Sequence, residues 1–321
     1  MPKATPLVTI CVVPRERFSC AVDSLRDIVA NTPSPFELIY IDGNAPREIA
    51  GELAAICAEH GFTYRRVDEY LPPNRARNLA LERVETPYAA FVDNDLFVRP
   101  GWLDALLACA EQTQAWAVAP LVTEGSARLS VVHIAGGDLV EDLVDGYTRL
   151  RSHHRFRRVP LASVRARLKR EPVDFIEFHC ALVRIGAFAE RPLFDEGFVC
   201  HQEHIDWCRE IRRAGGDIWF EPAAVVRHDN ARRFEDYDRG YFEFRWSQEG
   251  TEATLEHARA KWNLSPDDAR LLQIAGWTAK HRGLFDESQG SWALRILPLA
   301  ARRAVGIWLR DRGWRRARPM S

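Results

Sequence analysis

The residues best suited to chemistry are two aspartates one residue apart, Asp93 and Asp95, which follow an apolar run at residues 88–92. The run is typical of a buried strand. Because side chains alternate along a strand, both carboxylates would project to one side while Asn94 faces away. Two hard, anionic oxygen ligands at a strand's carboxyl end suit Mg²⁺ or Mn²⁺, and such a cation could hold the diphosphate of a nucleotide. Aspartate and asparagine also form polar turns, so the motif alone leaves both interpretations open.

The elements that would position these aspartates alternate between strand and helix. Short, mostly apolar runs predict strands at residues 7–13, 37–42, 62–67, 88–92 and 115–122. Helical patterns between them complete βαβ units, which predict an α/β fold around a mostly parallel sheet. In such sheets, ligands bind beyond the carboxyl ends of the strands. Three polar clusters fall at these ends, namely Pro14-Arg15-Glu16, Asp42-Gly43-Asn44 and Asp93-Asn94-Asp95.

Composition limits the class of protein. A chain of 321 residues can bury a full core, and 46% apolar with 28% charged residues is ordinary for a globular protein. The formal net charge of −1 gives no overall attraction for nucleic acid, so we expect no nucleic-acid partner. Seven scattered cysteines without a Cys-x-x-Cys pair argue against a zinc site or a disulfide framework. Without a leader pattern or a long apolar run, we expect a cytoplasmic protein with reduced thiols.

The second half of the chain is less regular. Residues 123–171 contain Gly136-Gly137 and a basic run at 153–158, and we expect inserted loops or a flap there. Strand patterns return at residues 173–183 and 217–220. Helices are predicted at residues 203–214, 234–248, 252–262 and 266–275.

In this order, the motifs resemble the family 2 glycosyltransferases of the GT-A fold over about residues 6 to 230. The matching pieces are the strands ending at Pro14 and Asp42 and residues 74–80, 91–95, 194–198, 203–209 and 220–228. The resemblance implies a GT-A catalytic domain at residues 1–230, with a nucleotide-sugar half and an acceptor half. A helical C-terminal extension would follow at residues 231–321.

The resemblance also implies a donor site for a nucleotide-diphospho-sugar. Asp93 and Asp95 would hold Mn²⁺ or Mg²⁺, and Asp93 would thereby contribute to binding the donor. His228 would supply a third metal ligand, although a histidine at a strand end can also be a capped surface residue. Asp42 would contact the base of the nucleotide, and Pro14 and Glu16 would line the nucleoside pocket.

Arg75, Arg77 and Asn78 precede the metal-site strand and are expected in the donor site. An arginine there can donate two hydrogen bonds to the diphosphate. It can also neutralise the negative charge that the metal ion does not balance. The alternative is that one arginine forms a structural salt bridge and the other is solvated. We therefore keep Arg75 and Arg77 as alternatives for the phosphate contact.

The base that deprotonates the acceptor is less clear, because the chain departs from the family at residues 203–206. Family members usually carry Glu-Asp at the start of this helix, whereas this chain has Glu203-His204. The candidates are Glu203, His204 and, one helical turn after Glu203, Asp206. We place Glu203 first and His204 second. Phe175, Glu177, His179 and Trp207 would lie on the acceptor side or, for the two aromatic residues, in the core.

The function implied is a metal-dependent, inverting transfer of a sugar to a glycan, a glycolipid or another hydroxyl acceptor. Inversion is taken from the family, because the oxocarbenium-like transition state is common to both stereochemical courses. A retaining GT-A transferase is one alternative. A non-catalytic GT-A scaffold that binds a glycan or a partner is another, since the expected aspartate base is missing.

The last thirty-one residues have a different character from the rest of the chain. Residues 291–321 contain eight arginines against the single acid Asp311. On a helical projection of residues 292–310, apolar side chains gather opposite the arginines. This pattern indicates a peripheral contact with an anionic membrane, at the inner face if the acceptor is lipid-linked. A terminal helix packed on the catalytic domain would show the same pattern.

Overall fold

The computed structural model describes residues 5–125, 130–188, 193–229 and 233–285. Strands and helices are numbered here in chain order. The strands are β1 (Val8–Val13), β2 (Glu37–Gly43), β3 (Thr63–Val67), β4 (Tyr88–Asp93), β5 (Leu96–Val98), β6 (Ala117–Glu124), β7 (Val131–Ile134), β8 (Gly137–Val144), β9 (Tyr147–His154), β10 (Glu171–Pro172), β11 (Cys180–Arg184) and β12 (Ile218–His228). The helices are α1 (Ala21–Ala30), α2 (Arg47–His60), α3 (Pro73–Leu81), α4 (Trp102–Thr113), α5 (Leu161–Val164), α6 (Glu203–Arg213), α7 (Arg239–Arg245), α8 (Gln248–Trp262) and α9 (Ala269–His281).

Within the described residues, ten strands form one sheet in the order β10-β12-β6-β11-β4-β1-β2-β3, with β5 beside β12 and β7 beside β6. Strands β3, β2, β1 and β4 run parallel to one another. Because β11 is antiparallel to both β4 and β6, strands β6 and β12 point in the same direction as that group. The predicted α/β fold with a mostly parallel sheet is confirmed.

The two central strands bring the first and third polar clusters together. Strands β1 and β4 are buried along their whole length, as expected for strands covered on both faces. Val13 pairs with Asp93, so both strands end at the same level of the sheet. Asn94 fastens the two ends, since its backbone N–H donates to Val13 O (2.9 Å) and its amide donates to Arg17 O (2.8 Å).

The expectation of loops at residues 123–171 was wrong. Strand β7 pairs with β6, and β8 with β9 forms a separate antiparallel hairpin. The hairpin was missed because many of its side chains are charged and exposed, which hides the alternation of a buried strand. Gly137 is required where the hairpin meets the core, because a Cβ there would lie 2.2 Å from the ring of Phe175. Conversely, the strand predicted at residues 173–183 is confined to β11.

The described part of the C-terminal extension packs on the sheet domain. The Phe18 N–H donates to Asp238 Oδ1 at 2.7 Å, and the Tyr241 hydroxyl donates to Leu71 O at 3.0 Å. Trp246 Nε1 donates to Glu16 Oε2 at 2.8 Å, which brings α7 and its end to the first polar cluster. The boundary placed between residues 230 and 231 stays a prediction.

Two further predictions concern membranes. No helix within the described ranges combines the length and the apolar character needed to cross a bilayer. The basic amphipathic segment at residues 291–321 lies outside the described residues.

Candidate active site

The two aspartates of the opening motif have different surroundings. Strand β4 ends at Asp93, and Asp95 lies in the turn before β5, so the alternation assumed for both does not extend to Asp95. Both are buried, with 1% exposure. Asp93 Oδ2 accepts a hydrogen bond from Arg15 Nη1 (2.9 Å) and lies 3.1 Å from His179 Nδ1. Asp95 Oδ2 lies 3.1 Å from His228 Nε2.

Asp95, His228 and Glu16 form a group whose potential ligand atoms all lie within 4.8 Å of one another. Asp95 Oδ1 and His228 Nδ1 are buried and have no hydrogen-bond partner among the described residues. Leaving such atoms unsatisfied costs free energy, which a bound cation would relieve. The donor set fits Mn²⁺ or Mg²⁺ through its two carboxylates. Glu16, which was expected to line the nucleoside pocket, thus lies with the metal candidates, and Asp93 lies outside this group.

Charge keeps Asp95 ionised in spite of its burial. Burial alone would raise its pKa, but His228 first, and then Arg15 and Arg17, outweigh that effect and lower the pKa of Asp95 to about 2. The carboxylate is therefore available to a cation throughout the physiological pH range.

The three residues predicted around the diphosphate separate in the structure. Arg77 is buried, with Nη2 3.9 Å from Asp93 Oδ1 and Nη1 3.9 Å from Glu203 Oε1, and its Nε has no partner among the described residues. Arg75 is exposed and pairs with Glu69 at 2.6 Å. The Asn78 side chain binds the backbone N–H and C=O of Phe194, so it holds the loop after β11. Of the three residues, only Arg77 contacts Asp93.

Asp42 lies at the end of β2 and is fully hydrogen-bonded. Its oxygens accept from the Ala45 N–H (2.8 Å), the Tyr64 hydroxyl (2.6 Å) and Arg66 Nη1 (2.6 Å). A cavity of about 510 Å³ opens next to this network. Its lining consists of Asn44, Ala45, Pro46, Arg47, Arg66, Asp68, Tyr70 and Tyr237. Asp42 is thus placed to orient Arg66 at the wall of the cavity, and Pro14 is buried at the neighbouring strand end.

Glu203 is the first residue of α6, and two arginines hold it. Its Oε1 lies 3.6 Å from Arg245 Nη2 and 3.9 Å from Arg77 Nη1, whereas its buried Oε2 has no partner in the described part of the chain. Burial would raise the pKa of Glu203, but Arg245 and Arg77 outweigh it and lower the pKa to about 2. Burial lowers the pKa of His204 to about 4, so its imidazole is neutral at pH 7.

Asp206, the third candidate base, is engaged in structural contacts. Its Oδ1 accepts from Trp262 Nε1 (2.9 Å) and its Oδ2 accepts from Lys261 Nζ (2.7 Å). Both partners belong to the end of α8. The carboxylate therefore ties α6 to α8, and this contact occupies the oxygens that a base would need.

This assignment predicts a loss of stability when Asp206 is replaced. We expect Asp206→Ala to lower the free energy of unfolding by about 2–3 kcal/mol, because the buried Trp262 Nε1–H loses its acceptor and Lys261 loses a charge partner. Urea denaturation measures this value. Glu210→Ala is the matched control, since Glu210 lies on the same helix and, in the described part of the chain, its side chain makes an exposed pair with Arg213. Unchanged stability with lost activity would instead identify Asp206 as the base.

Two histidines of a cluster next to Asp93, His133 and His154, were missed by sequence reasoning, whereas Glu177 and His179 were expected on the acceptor side. His179 Nε2 lies 2.9 Å from His133 Nε2, and Glu177 contacts His133, His179 and His154. His133 and His154 come from β7 and β9, within the segment that was expected to be loops. Burial would lower the pKa of His133, but Glu177 and Glu124 outweigh it and raise the pKa to about 9. Phe175 and Trp207, placed near the acceptor by sequence, are core residues.

The sequence profile described as "Glycosyl transferase family 2" matches residues 9–191, which is more than half of the chain. The chain belongs to glycosyl transferase family 2. The match runs from β1 past β11, so it includes Asp42, Asp93 and Asp95. Glu203 and His228 lie beyond it.

Curated relatives of this family 2 glycosyl transferase include the pre-mycofactocin glycosyltransferase of Mycobacterium tuberculosis, in strains CDC 1551 / Oshkosh and ATCC 25618 / H37Rv. Each is 29% identical over 168 residues, covering 51% of this chain and 32% of the relative. The match therefore spans about a third of the length of these relatives.

Similar solved structures include the crystal structure of GalNAc-T7 with UDP, GalNAc and Mn²⁺, with a TM-score of 0.53 and 17% identity over 87% of this chain and 58% of that chain. Another is S. aureus TarS 1-349 in complex with UDP-GlcNAc, with a TM-score of 0.48 and 13% identity over 87% of this chain and 73% of that chain. The likeness to GalNAc-T7 concerns the fold alone, and it confirms the GT-A architecture predicted for this family 2 glycosyl transferase.

Proposed function

We propose that the chain is a metal-dependent, inverting glycosyltransferase that moves a sugar from a nucleotide-diphosphate donor to a hydroxyl group of a glycan or glycolipid. The observation that carries this proposal is the convergence of Asp95, His228 and Glu16, with Asp95 Oδ1 and His228 Nδ1 buried and unpartnered within the described residues. These three residues would hold Mn²⁺ or Mg²⁺, which would neutralise the departing nucleoside diphosphate. The similar GalNAc-T7 structure contains UDP and Mn²⁺, which supports a donor of this class.

Arg77 is the residue we propose for the diphosphate. Its contacts to Asp93 and Glu203 are both 3.9 Å long, and its Nε has no partner among the described residues, so it has donor capacity left for an anion. We place Arg75 second for this task, because it is exposed and pairs with Glu69.

The cavity beside Asp42 is the site we propose for the nucleoside. Tyr70 and Tyr237 offer aromatic faces in its wall, and Arg66, held by Asp42, offers hydrogen-bond donors. In this arrangement Asp42 orients Arg66 and does not itself contact the base of the nucleotide. The position of the cavity, at the end of β2, agrees with ligand binding beyond the carboxyl ends of parallel strands.

Glu203 is the base we propose, with His204 as the alternative. Arg245 and Arg77 lower the pKa of Glu203 to about 2, so its carboxylate is a weaker base than the imidazole of His204, whose pKa is about 4. Arg77 and Arg245 fix one oxygen of Glu203, and the other oxygen has no partner in the described part of the chain. If one base removes the proton from the acceptor hydroxyl during in-line attack, the configuration at the anomeric carbon is inverted. NMR of the product decides this point, because retention of the anomeric configuration would contradict it.

The proposal is tested by incubating the purified chain with UDP- and GDP-sugars and Mn²⁺ and measuring donor hydrolysis and transfer. Turnover that EDTA abolishes and Mn²⁺ restores is the expected result. The chain departs from the family pattern at Glu203-His204. This departure favours a second candidate function, a GT-A scaffold that binds a glycan or a partner but does not transfer a sugar. Tight nucleotide binding without any turnover would support that scaffold.

We further propose that the basic segment at residues 291–321 attaches the protein to the inner face of an anionic membrane. Its helical pattern places tryptophan and leucine opposite the arginines, which suits an interfacial helix. Full-length protein is expected to co-sediment with anionic vesicles and much less with neutral ones, and deletion of residues 291–321 should abolish this. Co-sedimentation that is unchanged by the deletion would count against the proposal.

A further inference from the structure

The histidine cluster beside the donor site brings three potential ligand atoms together at close range. His133 Nε2 and His179 Nε2 are 2.9 Å apart, and Glu177 Oε2 lies 3.0 Å from the first and 3.1 Å from the second. His133 comes from β7, whereas Glu177 and His179 come from the segment just before β11, so distant parts of the sequence converge here. None of them belongs to the Asp95, His228 and Glu16 group.

The outer contacts of the cluster fix which nitrogen carries the proton. His133 Nδ1 is hydrogen-bonded to Glu124 Oε1, and His179 Nδ1 lies 3.1 Å from Asp93 Oδ2. An ionised carboxylate can only accept, so each Nδ1 must be the donor. In a neutral imidazole the lone pair is then on Nε2. This carboxylate–histidine pattern is the one that orients metal-binding histidines in proteins.

The carboxylate of Glu177 is oriented in the same way. His154 Nε2 lies 2.8 Å from Glu177 Oε1, which leaves Oε2 directed to the two imidazoles. Three potential ligand atoms therefore lie 2.9–3.1 Å from one another. Without a metal, the proton that His133 holds on Nε2 can bridge only a single pair of these atoms. A divalent cation that replaced this proton would satisfy all three.

The spacing and the ligand types indicate the class of metal. Tetrahedral ligands at the usual zinc distances lie roughly 3.3 Å apart, so the three atoms would have to separate by only a few tenths of an ångström. Two imidazoles and one carboxylate favour Zn²⁺ and similar transition metals over Mg²⁺. The side chains of His133 and Glu177 keep 13% and 15% exposure, which leaves a route for a water or substrate as fourth ligand.

We propose that His133, Glu177 and His179 form a second divalent-cation site, of the zinc type, beside the donor site. No cysteine takes part, which is why the cysteine pattern gave no indication of it. The site does not depend on glycosyl transfer, and its test therefore reads metal binding rather than activity. Asp93 joins the two sites, since it contacts His179 on one side and stands two residues before Asp95 on the other.

The test loads the purified full-length chain with Zn²⁺ in the presence of excess Mg²⁺, which is added to compete for the proposed donor site. Bound zinc is measured by mass spectrometry after dialysis. We expect one zinc per chain. His133→Ala and Glu177→Gln should lower the zinc affinity at least about 10- to 100-fold, the range seen when even outer partners of a ligand are removed. Co²⁺ in place of Zn²⁺ should give visible absorption bands that both variants lose.

Two controls separate this site from its surroundings. His153→Ala removes an exposed histidine of the same hairpin, and it should bind zinc like the wild type. His228→Ala should retain zinc, because His228 belongs to the donor site. Circular dichroism confirms that the variants are folded, and Glu177→Gln keeps the shape of the side chain. The proposal is overturned if the wild type binds no zinc under these conditions, if both site variants keep it, or if only His228→Ala loses it.

Discussion

Asp95→Asn is expected to abolish cation-dependent nucleotide binding. The substitution keeps the size of the side chain but removes the negative charge that Asp95 presents beside His228 and Glu16. Arg15 and Arg17, which lower the pKa of Asp95, would then face the site without that carboxylate. The Kd for UDP or GDP in the presence of Mn²⁺ should rise at least about 100-fold, as expected for the loss of a direct metal ligand. Isothermal titration with and without Mn²⁺ measures the effect.

Asp104→Asn is the matched control for this experiment. Asp104 is an exposed carboxylate in the first turn of α4, where it accepts a hydrogen bond from Ser34. We expect its variant to bind nucleotide like the wild type. If Asp95→Asn kept the same affinity and the same dependence on Mn²⁺ as Asp104→Asn, the cation site would not be formed by Asp95.

Glu203→Gln is expected to leave nucleotide binding within about threefold and to lower the rate of transfer roughly 10²–10⁴-fold, the range for loss of a general base. The amide keeps the shape of the side chain but cannot take a proton from the acceptor. Because Arg77 and Arg245 lose a shared negative partner, the variant should also unfold at a lower temperature. Nucleotide titration and thermal unfolding therefore accompany the rate measurement.

His204→Asn provides the comparison that distinguishes the two candidate bases. The neutral imidazole of His204, whose pKa burial lowers to about 4, is a base of similar strength to an ordinary carboxylate. If Glu203 is the base, His204→Asn should retain most of the transfer activity. The opposite result, with the larger loss in His204→Asn and transfer retained in Glu203→Gln, would assign the base to His204.

The positions of the proposed donor-site residues in the fold could be predicted from sequence, because these residues follow apolar strands. Local patterns place Asp42 and Asp95 at strand ends, and the topology of parallel strands then brings such ends together. The sequence could not show that the carboxylate of Asp42 accepts hydrogen bonds from Tyr64 and Arg66, or that Asn78 binds the backbone of Phe194. Those contacts depend on side-chain directions, which periodicity does not encode.

The acceptor side was not readable for a different reason. His154 lies on a strand whose charged, partly exposed residues look like a loop, and His133 lies on an apolar strand of only four residues. Arg245 reaches Glu203 from forty-two positions further along the chain. Asp206 has a carboxylate at a sequence position that suits a base, yet its two oxygens accept hydrogen bonds from Trp262 and Lys261. Such long-range contacts follow from tertiary packing and leave no local signal.

The C-terminal helices have a consequence for engineering. Arg245 and Trp246 belong to the helical extension by sequence, yet they contact Glu203 and Glu16 at the proposed reaction centre. A chimera that borrowed its C-terminal half from a related enzyme in order to change the acceptor would therefore also exchange groups that set charge around the donor. We therefore expect selectivity for the donor and for the acceptor to be coupled through these side chains, and grafting experiments should keep α7 together with the N-terminal half that it contacts.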